Sequence, residues 1–401
     1  MRKLLTKHFT IKPDLKVFCV LILAISIGAS TYSPIISRYL ETFTSNPILI
    51  GILATLAWGF YMLLAEPAGD LCSKLGCKRM LLFGALLAAS GALVIFAVQN
   101  VFVYIFATFL WGTGDAFFWS AAQKLVADLS VKRNRSFSFG LYTSSWGFGW
   151  AFGPLLGGFA AYTWGLRVPF LFFGAIVLAC LPFFIKFVPD TGHKNIKFYP
   201  AFKGIFLRGK ALSDGLTFFR NSSKNARFAL AMRFTAYSTF ALVEIFLPLL
   251  RGDLNNFQVG TLFFVFGSVA AFTEIFAGAL ADKYGKKWFL VFGFISSALF
   301  LSYMITYASF IGMLVLTIIL GISIAFIDPL LDAALFDSVG KSSRGVASGV
   351  SLSSAGLGYV VAPIIGGVLA QIGGYTMPLY FAAWLLVAGC ILSIIFMQGK
   401  K

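Results

Sequence analysis

Apolar runs, each about as long as a membrane crossing, divide this chain, and its polar residues are confined to the gaps between them. A spanning α-helix needs ~20 predominantly apolar residues. Runs near 17–40, 47–69, 80–99, 101–127, 136–161, 168–188, 226–250, 257–281, 288–308, 310–337, 345–371 and 376–397 meet that length, which predicts twelve spans. Val17 to Ser37 is long enough to cross and no small-x-small cleavage site follows it, so it reads as the first span and not as a signal peptide. Most gaps are short turns: Asn46-Pro47, Asn100, Gly165, Asn255-Asn256 and Gly373-Gly374. One gap is long. Residues 189–225 carry Lys194, Lys197, Lys203, Arg208, Lys210, Arg220 and Lys224, with Leu212, Leu216 and Phe219 at helical spacing. That stretch reads either as a linker with an amphipathic helix on the membrane surface or as a solvated linker.

The pattern repeats at an offset of 209 residues. Gly69-Asp-Leu-Cys-Ser-Lys-Leu-Gly76-Cys-Lys-Arg returns as Gly278-Ala-Leu-Ala-Asp-Lys-Tyr-Gly285-Lys-Lys-Trp, with Lys78 answered by Lys287 and Ser73 by Asp282. The same register pairs Asp128 with Asp337, Arg135 with Arg344, Gly149 with Gly358, Pro154 with Pro363, Gly157 with Gly366 and Gly158 with Gly367. One ungapped register over so many positions predicts two homologous halves. The expected fold is an all-α membrane protein of twelve transmembrane helices in two pseudo-symmetric six-helix bundles, residues 1–188 and 226–401, joined by a cytoplasmic linker at 189–225. Repeats of this kind place a substrate site near the bilayer midplane.

Composition sharpens the class. The chain is 59% hydrophobic and 12% charged, too little charge to cover a water-soluble surface of this size. The net charge of +17 is not a nucleic-acid footprint, because it is scattered over short loops on alternate sides of the spans. With the N-terminus inside, the inner segments hold Lys74, Lys78, Arg79, Lys132, Arg133, Arg135, Lys283, Lys286, Lys287, Lys341 and Arg344, whereas the outer loops hold only Arg38, Arg167 and Arg251. This asymmetry predicts an inner or plasma membrane protein with both termini in the cytoplasm. The five cysteines show neither metal-ligand spacing nor a disulfide framework. No Gly-Lys-Ser/Thr phosphate loop is present, which argues against ATP drive, and no Ser-His-Asp set points to an enzyme. Neither a metal nor a cofactor is expected.

With its paired basic loops and twelve spans, the chain resembles the major facilitator superfamily over essentially its whole length. The loop Gly278, Asp282, Gly285, Lys286 is similar to that superfamily's signature between the second and third spans, and it is better kept here between the eighth and ninth. Gly149, Gly153, Pro154, Gly157 and Gly158 on the fifth span resemble the superfamily's antiporter motif, associated with drug efflux. The resemblance implies alternating access driven by an ion gradient. Two positions depart from the pattern: Ser73 stands where the first loop signature has aspartate, and Thr108 stands where efflux members often carry arginine.

Physically, the loop motif reads as a latch. Gly69, Gly76, Gly278 and Gly285 permit tight turns and close packing. Asp282 is placed to accept hydrogen bonds from a helix N-terminus, and Ser73 at the same point of the first latch lacks that charge. The glycines of the fifth span fall on one face at steps of four, a surface for close helix approach, and Pro154 bends the helix. Asp128 with Arg135, and Asp337 with Arg344, read as cytoplasmic gate pairs.

Ionisable groups inside spans are costly and mark transport paths. Asp115 lies mid-span on the fourth; Asp328 and Asp332 share a face of the tenth at i, i+4; Arg233, Tyr237 and Glu244 form a stripe on the seventh. His8 and His193 both lie outside the runs, so carboxylates are the remaining proton carriers. Trp111, Trp119, Trp146 and Trp150 read as core packing or as the wall of a drug pocket. The function expected is secondary active transport of a small molecule, with proton-coupled efflux of an amphipathic compound by a monomer preferred. Proton- or solute-coupled uptake of a sugar, organic acid or other nutrient is the alternative.

Overall fold

The computed structural model describes residues 13–130, 135–189, 217–306, 309–339 and 344–396, and among these the regular structure is helical. The helices are α1 Pro13–Ser30, α2 Ile36–Glu41, α3 Pro47–Leu75, α4 Cys77–Ala97, α5 Val101–Leu129, α6 Arg135–Trp164, α7 Val168–Phe187, α8 Lys224–Leu250, α9 Asn256–Tyr284, α10 Lys286–Thr306, α11 Phe310–Ile324, α12 Asp328–Asp337, α13 Arg344–Gly373 and α14 Thr376–Phe396. Eleven stretches of the described residues are long and apolar enough to cross a membrane. The remaining long helix is α6, 30 residues from Arg135 to Trp164. Its serines, threonines and glycines lower its hydropathy while giving it a packing surface.

Caps and turns follow the local sequence. The Asn100 side chain accepts hydrogen bonds from the Phe102 and Val103 amides and starts α5. Asn255 and Gln258 form a reciprocal capping box at the start of α9. Among the described residues a positive φ occurs only at glycine: Gly76 (99°), Gly165 (104°), Gly285 (96°) and Gly374 (74°). These are two repeat pairs, Gly76 with Gly285 and Gly165 with Gly374, so each half makes the same two left-handed turns where a Cβ would be strained.

Two predicted spans are broken. The first divides into α1 and α2 around the 3₁₀ turn Ser33–Ile35. Pro34 has no amide to donate there, and Thr31 turns its hydroxyl to the Gly28 and Pro169 carbonyls, at 2.7 and 2.9 Å. The tenth divides into α11 and α12 between Ile324 and Asp328, with Pro329 in the first turn of α12. Hydropathy alone reads both as continuous runs.

By packing, the chain divides into two compact units, Met1–Tyr32 with Gly59–Gly209, and Ser33–Trp58 with Lys210–Lys401. In the first, α1 packs on α6 and α7, and α4 on α5 and α7; in the second, α8 packs on α13 and α14, and α10 on α11 and α14. These are the same partners at the repeat offset. Glycine sets the spacing in both. A Cβ on Gly84 would lie 2.6 Å from the Gly114 carbonyl, and one on its mate Gly293 would lie 2.9 Å from the Ser323 carbonyl. Side chains at those points would push the backbones apart. Of the linker, 217–221 is helical; Leu212 and Leu216, and hence most of the expected amphipathic face, lie outside the described residues.

Candidate functional site

The second unit gathers the ionisable stripe into one cluster. Arg233 sits on α8, and its side chain is 7% exposed. Its Nη1 donates to Asp332 Oδ1 and lies 3.7 Å from Asp328 Oδ1. The i, i+4 spacing of the two aspartates on α12 puts both carboxylates against that one guanidinium. Tyr237, one turn further along α8, donates its hydroxyl to Asp328 Oδ2 at 3.0 Å, and the Arg233 guanidinium stands 5.3 Å from its ring. Ser351 on α13 donates to Asp332 Oδ1 at 3.4 Å. Among the described residues Arg233 is the cation in contact with these two acids, and the three carry a formal excess of one negative charge when both acids are ionised. The break before Asp328 has a direct consequence: it turns the backbone so that Asp328 opens a helix, where the dipole favours a carboxylate.

Aromatic rings continue from this cluster. Tyr359 lies 5.9 Å from Tyr237, and Trp58 stacks on Tyr359 at 4.4 Å with 15° between planes. Phe240 lies 6.0 Å from Tyr359 and 5.7 Å from Phe266. Four tryptophans of the first half stand out in the sequence and this wall does not, although Tyr359 is the repeat mate of Trp150.

Glu244 does not join the cluster. It is buried near the C-terminal end of α8, where Ser33 donates its hydroxyl to Oε1. Nearby, Arg38 on α2 donates to the Pro248 carbonyl at 3.1 Å, the Arg251 carbonyl at 2.7 Å and Asn256 Oδ1 at 2.8 Å. The Pro248 carbonyl lies in the last turn of α8, and the Arg251 carbonyl, just beyond it, also accepts from the Leu254 amide at 3.0 Å. Between α8 and α9, Arg251 grips Asp253 at both carboxylate oxygens, at 2.9 and 2.7 Å, which holds that carboxyl below the usual aspartate range.

In the first unit, Asp115 on α5 is partly buried beside the Trp111 and Trp119 side chains, one turn away on either side, and near Tyr61 of α3. Trp111 packs edge-on against Tyr32 at 4.2 Å and lies 5.5 Å from Phe173. Trp146 and Trp150 lie 5.8 Å apart. The glycine face of α6 meets α1: Cβ atoms on Gly149, Gly153 and Gly157 would stand 2.3 Å from Ser26 Cβ, 1.9 Å from Ser30 Oγ and 1.6 Å from the Thr31 carbonyl. Ser30 seals the contact by donating to the Gly149 carbonyl at 3.1 Å. Pro154 lies within α6, and Gly158 is buried beside this face.

The two repeated glycine-bounded loops are held differently. In the first, Lys78 donates to the Ile185 carbonyl near the end of α7, at 2.6 Å. In the second, Lys286 pairs with Asp337 at the end of α12. Asp337 is therefore bound to Lys286; the side chains of Arg135, Arg344, Ser73 and Asp282 lie outside the described residues, and Asp128 is exposed. One expectation is corrected. Cys72 and Cys77 form a disulfide across the Gly76 turn, their Cα atoms 4.8 Å apart, where sequence spacing had shown no disulfide framework. A chain reversal at a left-handed glycine brings residues five apart within bonding range, and linear spacing does not register it. At the repeat offset Cys77 stands in place of Lys286.

Comparison with known proteins agrees with this architecture. The model of the Major Facilitator Superfamily matches residues 18–252 and 228–400. The chain is 22% identical over 397 residues to "Multidrug resistance protein 2" of Bacillus subtilis, covering 94% of this chain and 93% of that protein. It is 20% identical to "Quinolone resistance protein NorA" of Staphylococcus aureus, over 94% and 95% of the two chains. The crystal structure of a POT family transporter in complex with 5-aminolevulinic acid superposes with a TM-score of 0.75 at 12% identity, covering 95% of each chain. Two repeats with matched turns and matched helix partners, filled by ion-paired groups inside apolar spans, meet a family match over nearly the whole chain: the protein belongs to the Major Facilitator Superfamily and is a multi-pass membrane transporter.

Proposed function

We propose that this transporter exports a small amphipathic compound in exchange for protons, from the cytoplasmic side of a plasma membrane, as a monomer with both termini inside. Bundles 1–188 and 226–401, joined by 189–225, are its working halves. The observation that carries the reading is the Arg233–Asp328–Asp332 cluster: two acids inside the spans share one arginine. When Asp332 takes up a proton, Arg233 loses its nearest charge partner, and Asp328, 3.7 Å away, is the partner left to it. Proton uptake thus changes which groups are held together and which are free for a ligand. Asp115 supplies a second acid beside Trp111 and Trp119. Glu244, bound to Ser33, is a further proton or substrate contact near the outer end of α8. The basic inner loops support the orientation, and the names of the multidrug and quinolone resistance relatives support the direction.

The test is transport by the purified protein in liposomes with an imposed pH difference, run against a panel of amphipathic dyes and nutrients. Uphill dye movement that collapses with the pH gradient is expected. Movement indifferent to the gradient, or confined to sugars and organic acids, would remove the reading.

A further inference from the structure

The first glycine-bounded loop carries a covalent tie that its repeat copy cannot make. Cys72, in the last turn of α3, and Cys77, the first residue of α4, are bonded across the Gly76 turn. There Gly76 takes a φ of 99°, and its amide donates to the Cys72 carbonyl at 3.1 Å. At the repeat offset the two cysteines are answered by Ala281 and Lys286. That second copy is held instead by the ion pair of Lys286 with Asp337. In the first copy the mate of Asp337 is the exposed Asp128, and a cysteine at position 77 offers it no positive charge. One half therefore ties this turn with charge and the other with sulfur.

We propose that Cys72 and Cys77 are a redox switch. Bonded, they hold the α3–α4 turn; reduced to two thiols, they release it. The inference rests on the orientation proposed above, which puts this basic loop in the cytoplasm. Cytoplasmic thiols keep most cysteines reduced, and a disulfide there is usually transient and redox-sensing. The position suits thiol–disulfide exchange. Cys77 opens α4, where the helix dipole favours an anion such as a thiolate, and Lys78 and Arg79 follow it. Both side chains are buried, so a small thiol reaches the sulfurs when the turn opens locally. Reduction uses two molecules of a glutathione-type thiol. The first attacks one sulfur, which forms a mixed disulfide and frees the other cysteine. The second attacks the mixed disulfide, which frees the remaining cysteine and leaves as the small disulfide, and the two thiol protons end on the cysteines. Oxidation by the small disulfide runs the same steps in reverse.

The experiment equilibrates the full-length protein in nanodiscs with mixtures of glutathione and its disulfide, quenches in acid, alkylates free thiols and reads the peptide holding Cys72 and Cys77 by mass. The bonded fraction is expected to pass from one-tenth to nine-tenths over about an 80-fold change in the ratio of glutathione disulfide to squared glutathione, as a two-electron couple requires. Hydrogen exchange is followed on the same samples. Protection of the 72–80 amides should fall as the bond is reduced, while the 281–289 amides of the second copy stay unchanged. Cys72→Ser and Cys77→Lys, the latter carrying the residue of the second copy, should each show no response to glutathione; two different substitutions keep one poorly folded variant from deciding the outcome. A bond that persists in fully reduced glutathione or is absent at every ratio would overturn the inference, as would exchange that does not follow the bond or a response in either variant. The orientation is tested apart, with glutathione, which does not cross the bilayer, added to inside-out and right-side-out vesicles. Reduction in the inside-out vesicles alone is expected. Reduction in the right-side-out vesicles alone would overturn the orientation and the cytoplasmic control, with the nanodisc titration unaffected, so the two readings fail separately.

Discussion

Replacing Arg233 by alanine removes the guanidinium that faces both Asp328 and Asp332. Breaking a fully buried ion pair from one side costs ~3–5 kcal/mol, because a charge is left without a partner. Here the arginine side chain is 7% exposed, but the aspartates are 39% and 40% exposed. Water takes up part of the freed charge, and a charge-assisted hydrogen bond contributes about 1.5–3 kcal/mol in such a setting. For a unit of this size each kcal/mol shifts Tm by roughly 2–4 °C, so a fall of about 3–12 °C is expected. The assay is thermal unfolding in detergent of Arg233→Ala, Asp332→Ala and the double variant. Removing both partners takes away the pair and the stranded charge together, so the double variant should be less destabilised than the sum of the singles, with a coupling of about 1 kcal/mol or more. Asp328→Asn should cost less than Asp332→Asn, since Asp328 stands 3.7 Å from the guanidinium and keeps its Tyr237 hydrogen bond. Strict additivity, or a larger loss at Asp328, would refute the geometry.

Other predictions test separate parts of the fold. Gly157→Ala places a Cβ 1.6 Å from the Thr31 carbonyl and should abolish or sharply reduce folded protein, whereas Gly140→Ala, with nothing within 4 Å, should express normally; fluorescence-detected gel filtration reads both. Ser33→Ala leaves the buried Glu244 without its donor and should cost about 1–3 kcal/mol, recovered in part by Glu244→Gln, as measured by thermal unfolding. Asp253 has a lowered pKa in the fold, so the Arg251 clasp contributes at neutral pH and above the ordinary aspartate value, and is lost as pH falls through the folded value. Protection of the 251–255 amides, taken relative to their intrinsic exchange rate at each pH, should therefore fall on strong acidification in wild type and show no such step in Asp253→Asn.

Much of this was legible in the chain because it is written in local rules or in the repeat. The offset that pairs Gly76 with Gly285 predicted tight turns, and both adopt a positive φ. Steps of four on α6 predicted a close helix face, and Gly149, Gly153 and Gly157 press on α1. Helical spacing put Arg233 with Tyr237 and Asp328 with Asp332, although only tertiary packing brings the two stripes together. Other features are invisible to hydropathy. The breaks at Ser33–Ile35 and before Asp328 change backbone direction without changing polarity, and Pro34 and Pro329 were their only local signs. The Ser33–Glu244 contact joins residues 211 apart, which no periodicity encodes. The Cys72–Cys77 bond depends on the turn between them, not on their spacing alone.

Proton coupling through carboxylates inside the spans is decided by one comparison: uphill transport against substrate counterflow in liposomes, for wild type, Asp115→Asn and Asp332→Asn. Substitution by asparagine keeps the shape and removes the titrating proton. The variants are expected to lose gradient-driven accumulation and its pH dependence while retaining counterflow, which needs only the substrate path. Full gradient-driven transport with unchanged pH dependence in both variants, at normal expression, would contradict it.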